Sequence, residues 1–343
     1  MILIGLLIIA IGAFCQSSCY VPINKIKFWS WESYWIVQGV FAWLILPFLG
    51  ALLAVPEGHS LTELFTADQS FNIWMTILFG ALWGVGGLTF GLSMRYLGVA
   101  LGQSIALGTC AGLGTIMGPV LLNIFFPEND PLSQLTFAVI LGVVVTLIGI
   151  AIIGIAGSMK ASSLSEEEKK AAVKDFNFPK GITIALLAGF MSGCFNVGLE
   201  FGSGINFGSL TPDIYKTLPA TLLVTLGGFV TNAVYCFYQN QKNHTWGDYS
   251  KVSVLGNNLL FCLLAGALWY SQFFGLALGK GFLTDSPTLM TLSFCILMAL
   301  NVVFSNVWGI ILKEWKGCSS KTITVLVIGI VVLIVSCFLP QLI

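Results

Sequence analysis

The chain has 343 residues, 57% of them hydrophobic and only 9% charged, with 15 basic residues balanced by 15 acidic ones. A soluble domain carries roughly 25% charged residues to cover its surface, so the solvent for most of this chain must be lipid. The charge balance leaves no basic face for nucleic acid. The 9 cysteines show no CxxC or Cys/His zinc spacing, and their odd number argues against a disulfide framework.

Crossing the hydrocarbon core takes about 20 apolar residues as a helix. Ten such runs are predicted, at 2–22, 34–55, 71–94, 98–124, 134–156, 181–202, 214–238, 254–279, 287–312 and 322–341. Met1 to Tyr20 lacks a basic leader and has Phe14 and Cys15 where a cleavage site needs small residues, so it is expected to stay as the first span. Gln16 and Tyr20 share one face of it. The second span opens on Trp29-Ser-Trp-Glu32 and carries Gln38. The third and fourth are rich in glycine at spacing four, Gly80 with Gly84 and Gly108 with Gly112 among them, a pattern that lets helix backbones approach closely. Arg95 ends the third as a snorkelling anchor, and Gln103 stands in the fourth. Around residues 157–180 a run of Glu and Lys predicts a solvated linker with a short surface helix. The sixth span offers Asn196 and Glu200, the eighth Trp269 and Gln272, and the ninth Asn301.

Polar groups inside such runs must face a bundle interior or a cavity. Amides and hydroxyls both donate and accept, as sugar hydroxyls do, and indole faces cover the apolar side of a sugar ring. Gln16, Tyr20, Gln38, Gln103, Asn196, Trp269, Gln272 and Asn301 are therefore the candidate substrate-binding residues, between spans 1–4 and 6–9. Glu200 and Glu32 are the candidate proton-coupling acids. Glu200 sits inside an apolar run, where an ionised carboxylate is expensive, although about 30 Å of helix from Lys180 places it near the far interface. Glu32 lies among tryptophans that also suit an interfacial belt.

Thirteen of the basic residues fall in alternate loops, those joining spans 1–2, 3–4, 5–6, 7–8 and 9–10. That asymmetry predicts these loops in the cytoplasm and both termini outside. The linker splits the chain into residues 1–156 and 181–343, five spans each. Gly80-Ala-Leu-Trp83 in the third span is matched by Gly266-Ala-Leu-Trp269 in the eighth. Five is odd, so the two repeats are expected to run in opposite directions, as in secondary transporters. No HExxH, GxxxxGK[ST] or GxSxG motif points to a metalloenzyme, a nucleotide-driven pump or a hydrolase. The expectation is not an enzyme, with no metal or organic cofactor. An exporter of amino acids or amphipathic compounds on the same plan, and a non-transporting membrane sugar sensor, are the alternative readings.

Tyr20-Val-Pro-Ile-Asn-Lys-Ile-Lys-Phe-Trp-Ser-Trp-Glu32, Gly84-Val-Gly-Gly-Leu-Thr-Phe-Gly-Leu-Ser-Met-Arg-Tyr-Leu-Gly98, Trp269-Tyr-Ser-Gln-Phe-Phe274 and Leu312-Lys-Glu-Trp315 followed by Thr322-Ile-Thr-Val-Leu326 resemble segments of the bacterial L-rhamnose–proton symporter family. The resemblance runs from the first span to the last. It implies the drug/metabolite transporter superfamily, an all-α protein of ten transmembrane helices in two inverted five-helix repeats. It also implies a bacterial inner-membrane location, with L-rhamnose, and also L-lyxose, taken up by symport with protons. Around Asn196 and Glu200 the chain departs from that pattern, where an amide stands at the acid's place, whereas Glu32 lies inside a matching segment.

Overall fold

In the computed structural model, described over residues 1–97, 99–163, 177–313 and 315–339, the chain is helical, with no strand among the described residues. Among the described residues, ten helices are long and apolar enough to cross a membrane. They are α1 (Ile2–Ile23, interrupted at Cys19), α2 (Trp31–Leu52), α3 (Ser70–Leu97), α4 (Val99–Phe125), α5 (Phe137–Ser162), α6 (Phe178–Phe201), α7 (Leu218–Asn243), α8 (Val252–Gly281), α9 (Pro287–Ile311) and α10 (Ser320–Phe338). All ten predicted runs are present, with ends shifted by a few residues. Apolar runs of this length have no alternative to helix in lipid, because each backbone polar group must be paired within its own segment. The charged stretch 164–176, with its expected surface helix, lies outside the described residues, as does the Arg95 side chain.

Many large apolar residues are exposed, unlike those of a soluble bundle, and small residues are buried where helices touch. On α1, Leu3, Leu7 and Ile11 form an exposed stripe, while Gly5, Ile9 and Gly12 are buried. A side chain at Gly5 would meet the Gly279 carbonyl, and one at Gly12 the Ser271 carbonyl, so α1 lies directly on the α8 backbone. Exposed Ile140, Val144 and Ile148 on α5 mark a similar lipid-facing stripe.

By contacts the chain divides into two compact units, each interleaving segments from both sequence halves. The first comprises Met1–Gly84 and Gly198–Thr284. Within it α1 packs on α8, and α2 on α7 and α8. The second comprises Val85–Val197 and Asp285–Ile343. There α5 packs on α10 and α4, and α9 on α4, α5 and α10; Thr146 donates to Ser336 across α5 and α10 at 3.0 Å.

The glycines divide into two kinds. Gly80 and Gly84 bring α3 onto α7 at Val224 and Gly228, and Gly114 brings α4 onto Gly193 of α6. Gly108 and Gly112 meet only side chains of α5 at ordinary distances, and Gly87 meets nothing within 4 Å. Spacing alone did not separate these cases.

In α2 the regular turns give way to a π-helical turn over Val40–Ile45. Such a turn inserts one residue and re-aims the side chains beyond it, often at functional sites. Here it lays the Trp43 ring across Gly39, where a Cβ would collide with the indole.

Candidate functional site

Within the first unit, tryptophans from α2, α3 and α8 converge. Trp31 stacks on Trp35 (centroids 5.3 Å apart), and Trp35 meets Trp43 edge-on at 5.7 Å. Trp43 in turn touches Trp83 at 6.1 Å and Trp269 at 5.8 Å, and those two lie 5.6 Å apart. Phe273 closes the row against Trp269. Trp43 lies about 18 Å along α2 from Trp31, so the three-indole junction falls near the middle of a core about 30 Å thick.

Three buried polar atoms on α2 and α8 have no hydrogen-bond partner among the described residues. Gln38 is 1% exposed, and its Oε1 has no hydrogen-bond partner among the described residues. The same holds for Trp43 Nε1 and for the Tyr270 hydroxyl, which lies against Gly50. A buried unpaired polar group costs about 1–3 kcal/mol, so each of these atoms is a candidate contact for a ligand or a water molecule. The Trp35 indole, by contrast, donates to Asn232 Oδ1 at 2.9 Å. Trp83 and Trp269 keep partial exposure.

The two Gly-Ala-Leu-Trp segments meet here. A Cβ at Gly80 would strike the Val224 backbone, and one at Gly266 would strike Phe41 and crowd the Gln38 carbonyl. The same residue interval separates Gly80 from Gly266, Gln38 from Val224, and Trp83 from Trp269. One local arrangement is thus made twice, and its two tryptophans touch.

The sequence-predicted binding residues fall in both units. Gln16, Tyr20, Gln38, Trp269 and Gln272 belong to the first; Gln103, Asn196 and Asn301 to the second. Trp269 joins the indole row, and Gln38 is buried on α2 between Trp35 and Trp43 in sequence. Gln272 is buried with its backbone on Gly12 of α1, and Gln16 is half-buried one turn further along α1. Tyr20 is 57% exposed. In the second unit, Asn196 donates to the Gly114 carbonyl at 2.9 Å and keeps a buried Oδ1 with no partner among the described residues. Asn301 is buried in α9, and Gln103 is half-buried near the start of α4. Its neighbour Ser104 lines a cavity of about 870 Å³, together with Thr109, Ser158, Leu147, Ile150 and Ser319.

The two acids differ in their surroundings. Glu32 is 5% exposed, and its Oε1 accepts from Asn243 Nδ2 at 3.0 Å and from the Thr245 hydroxyl at 2.8 Å. Glu200 lies 3.5 Å from the Lys280 ammonium, a cation from α8 far away in sequence. Beside Glu32 stands a third acid, Asp248, whose Oδ2 accepts from the Ser30 N–H (2.7 Å) and the Ser33 hydroxyl (2.9 Å). Its Oδ1 pairs with Lys251 at 2.6 Å. Burial opposes the charge of Asp248, but the Lys251 ammonium and the Ser30 and Ser33 donors outweigh it and hold the carboxyl below its ordinary 3.8.

Sequence reasoning did not assign Trp43, Tyr270, Lys280 or Asp248 to a site. A tryptophan at mid-span, away from either interfacial belt, was the available signal for Trp43. The ionic partner of Glu200 had none, whereas Lys251 stands three residues from Asp248 in the sequence.

A family model described as L-rhamnose-proton symport protein matches residues 1–342. An L-rhamnose-proton symporter of Yersinia pestis (strain Pestoides F) is 33% identical over 347 aligned residues, covering 98% of this chain and 96% of its own. One of Yersinia pseudotuberculosis (serotype O:1b, strain IP 31758) matches to the same extent.

Proposed function

This chain belongs to the L-rhamnose-proton symport protein family, and from that premise we propose that it is a secondary transporter taking up L-rhamnose, and L-lyxose, together with protons by alternating access. The observation that carries this reading is the indole row, whose central Trp43 Nε1 is buried with no partner among the described residues. A deoxy sugar supplies what it lacks. A sugar hydroxyl accepts from the indole N–H, and the methyl-bearing face lies on an aromatic ring.

The doubled arrangement around Trp83 and Trp269 supports two inverted five-helix repeats, residues 1–156 and 181–343 joined by the 157–180 linker, on the plan of the drug/metabolite transporter superfamily. Helix pairing supports it too: exchanging each of the first five helices with its counterpart in the second five turns the α4–α5 packing into α9–α10 and leaves α2–α7 and α5–α10 unchanged. Gln16, Tyr20 and Gln272 of the first unit are proposed to line the path to and from the indole row, and Gln103, Asn196 and Asn301 of the second unit are proposed as further substrate-binding residues.

Proton coupling serves an evident purpose. A neutral sugar gains nothing from the membrane potential, whereas one accompanying proton gains about 2.3 kcal/mol per 100 mV, enough for roughly a 50-fold gradient. Glu32 is assigned the proton, because it stands beside a second carboxylate, Asp248, that favours its neutral form, whereas Glu200 is paired with the Lys280 ammonium. The test is uptake of labelled L-rhamnose in proteoliposomes. An imposed inward proton gradient should drive accumulation and a protonophore should abolish it; uptake indifferent to the gradient overturns symport. Glu32→Gln should lose accumulation while sugar exchange persists. Should Glu200→Gln do so instead, the two acids exchange roles.

A further inference from the structure

We propose that Thr245, Asn240 and Asp248 position Glu32 for its proton, and that protonation of Glu32 releases a clasp holding residues 24–30 against the 244–251 turn and the start of α8. The inference deepens the assignment of the coupling proton to Glu32 and rests on it.

The clasp is built from side chains that grip backbone. Asn258 is bidentate on Lys27, accepting from its N–H at 3.0 Å and donating to its carbonyl at 2.8 Å. Asn257 donates to the Lys25 carbonyl at 3.1 Å, and Lys251 reaches the Phe28 carbonyl at 2.7 Å. Trp29 packs edge-on against Tyr249 at 5.8 Å. Phe28 (φ 56°) and His244 (φ 55°), one on each side, are left-handed without being glycine. Side chains disfavour that conformation, so contacts elsewhere must hold it. Both segments are therefore poised to relax once those contacts go.

Glu32 reaches this clasp through hydroxyl protons. Thr245 has one proton and two acceptors in reach, Glu32 Oε1 at 2.8 Å and Asn240 Oδ1 at 3.0 Å. Ser33 has one proton and likewise two acceptors, Asp248 Oδ2 at 2.9 Å and the same Asn240 Oδ1 at 3.1 Å. Asn240 is fixed by donating to the Cys236 carbonyl (3.0 Å) and the Tyr249 hydroxyl (3.1 Å), which leaves its oxygen as the shared acceptor.

With Glu32 ionised, Thr245 and Asn243 both donate to Oε1 and fasten the end of α7. When Oε1 takes a proton, that proton points at the Thr245 oxygen, and the Thr245 hydroxyl turns to Asn240. The Asn243 amide, aimed at the same Oε1, is left with a weakly accepting hydroxyl oxygen in place of a carboxylate beside the strained His244. Release of the proton to water restores the carboxylate and both donors, so closing the clasp and losing the proton are linked. Asp248 stays ionised throughout, and its negative charge favours the proton on Glu32.

The other ionisable groups facing the network are Lys251 and Tyr249 of the turn and Cys236 of α7. Lys25, Lys27, Lys242 and His244 are exposed around it.

Hydrogen–deuterium exchange on the full-length protein in nanodiscs, corrected for intrinsic rates, tests the clasp without sugar. Protection of residues 24–30 should fall as the wild type is acidified. In Glu32→Gln, exchange there should be at least about tenfold faster and insensitive to pH. Equal protection in wild type and Glu32→Gln overturns the clasp. Proton-driven rhamnose uptake tests the positioning. Asp248→Asn should move its pH midpoint acidward by about one unit through loss of a neighbouring like charge, and Asp248→Glu should restore it. A lower rate with an unmoved midpoint overturns the positioning role. If the wild type shows the pH-dependent exchange but no rhamnose flux at all, the transport reading fails while the clasp stands.

Discussion

Tyr270 carries a hydroxyl that is buried, aimed at Gly50 and without a partner among the described residues. A group that only held helices together would be paired, so its two possible roles predict opposite outcomes for Tyr270→Phe. Removing an unpaired buried hydroxyl should leave the empty protein as stable or up to about 1–3 kcal/mol more stable. Losing its bond to a sugar should raise the half-saturating sugar concentration roughly tenfold, about 1.4 kcal/mol. Thermal unfolding without sugar and uptake kinetics read the two effects separately; lower stability with unchanged kinetics would make Tyr270 structural. Asp248 gives a pH signature of its own. Its folded-state value lies below the ordinary 3.8, so its contribution to stability is complete above that value and disappears as the pH falls through the lower, folded one. The wild type should therefore be more stable than Asp248→Asn at neutral pH, with the gap narrowing at acidic pH in unfolding titrations. None of these partners is legible in the chain. Asp248 meets Ser30 and Ser33, and Glu200 meets Lys280, only because helices distant in sequence are neighbours in space.

At the scale of elements, the lengths and ends of the helices follow from hydropathy, but their approach distances do not. Glycines at spacing four look alike in α3, yet a Cβ at Gly80 would strike the Val224 backbone, while Gly87 has open space around it. Gly80→Leu should part α3 from α7 and cost upwards of about 1–3 kcal/mol of stability, since backbone cannot yield as a side chain can. Gly87→Ala should be tolerated, or stabilise by about 0.5–1 kcal/mol through helix propensity. Parallel thermal-shift measurements on the two variants decide the matter, and equal losses would mean that close approach is not what distinguishes the positions. The π-helical turn of α2 was equally hidden, because nothing in Val40–Ile45 departs from an ordinary apolar helix. It is stabilised by what Trp43 gains from Trp35, Trp83 and Trp269.

For the whole molecule, the uneven distribution of Lys and Arg makes a topological prediction. A phosphatase fused to either terminus should be active outside the membrane, whereas a fluorescent protein that folds only in the cytoplasm should stay dark there. The converse pattern would reverse the orientation and put the Glu32 clasp on the outer side. Both contact units draw on both halves of the sequence, although each predicted repeat is continuous in it.

The sequence by itself determined what crosses the membrane and how often, because burying a peptide group in lipid without a hydrogen bond is prohibitive and only long apolar helices avoid it. It also carried the family resemblance, and it marked Gln38 and Trp269 as candidate substrate-binding residues and Glu32 as a candidate proton-coupling acid. Tertiary structure alone decided which of these groups are satisfied. A hydrogen bond or ion pair needs two atoms within about 3 Å, and composition and spacing cannot place Trp43 between Trp83 and Trp269, or Lys280 beside Glu200. Helix packing sets those distances, and with them which polar groups remain unpaired and which acid keeps only neutral donors.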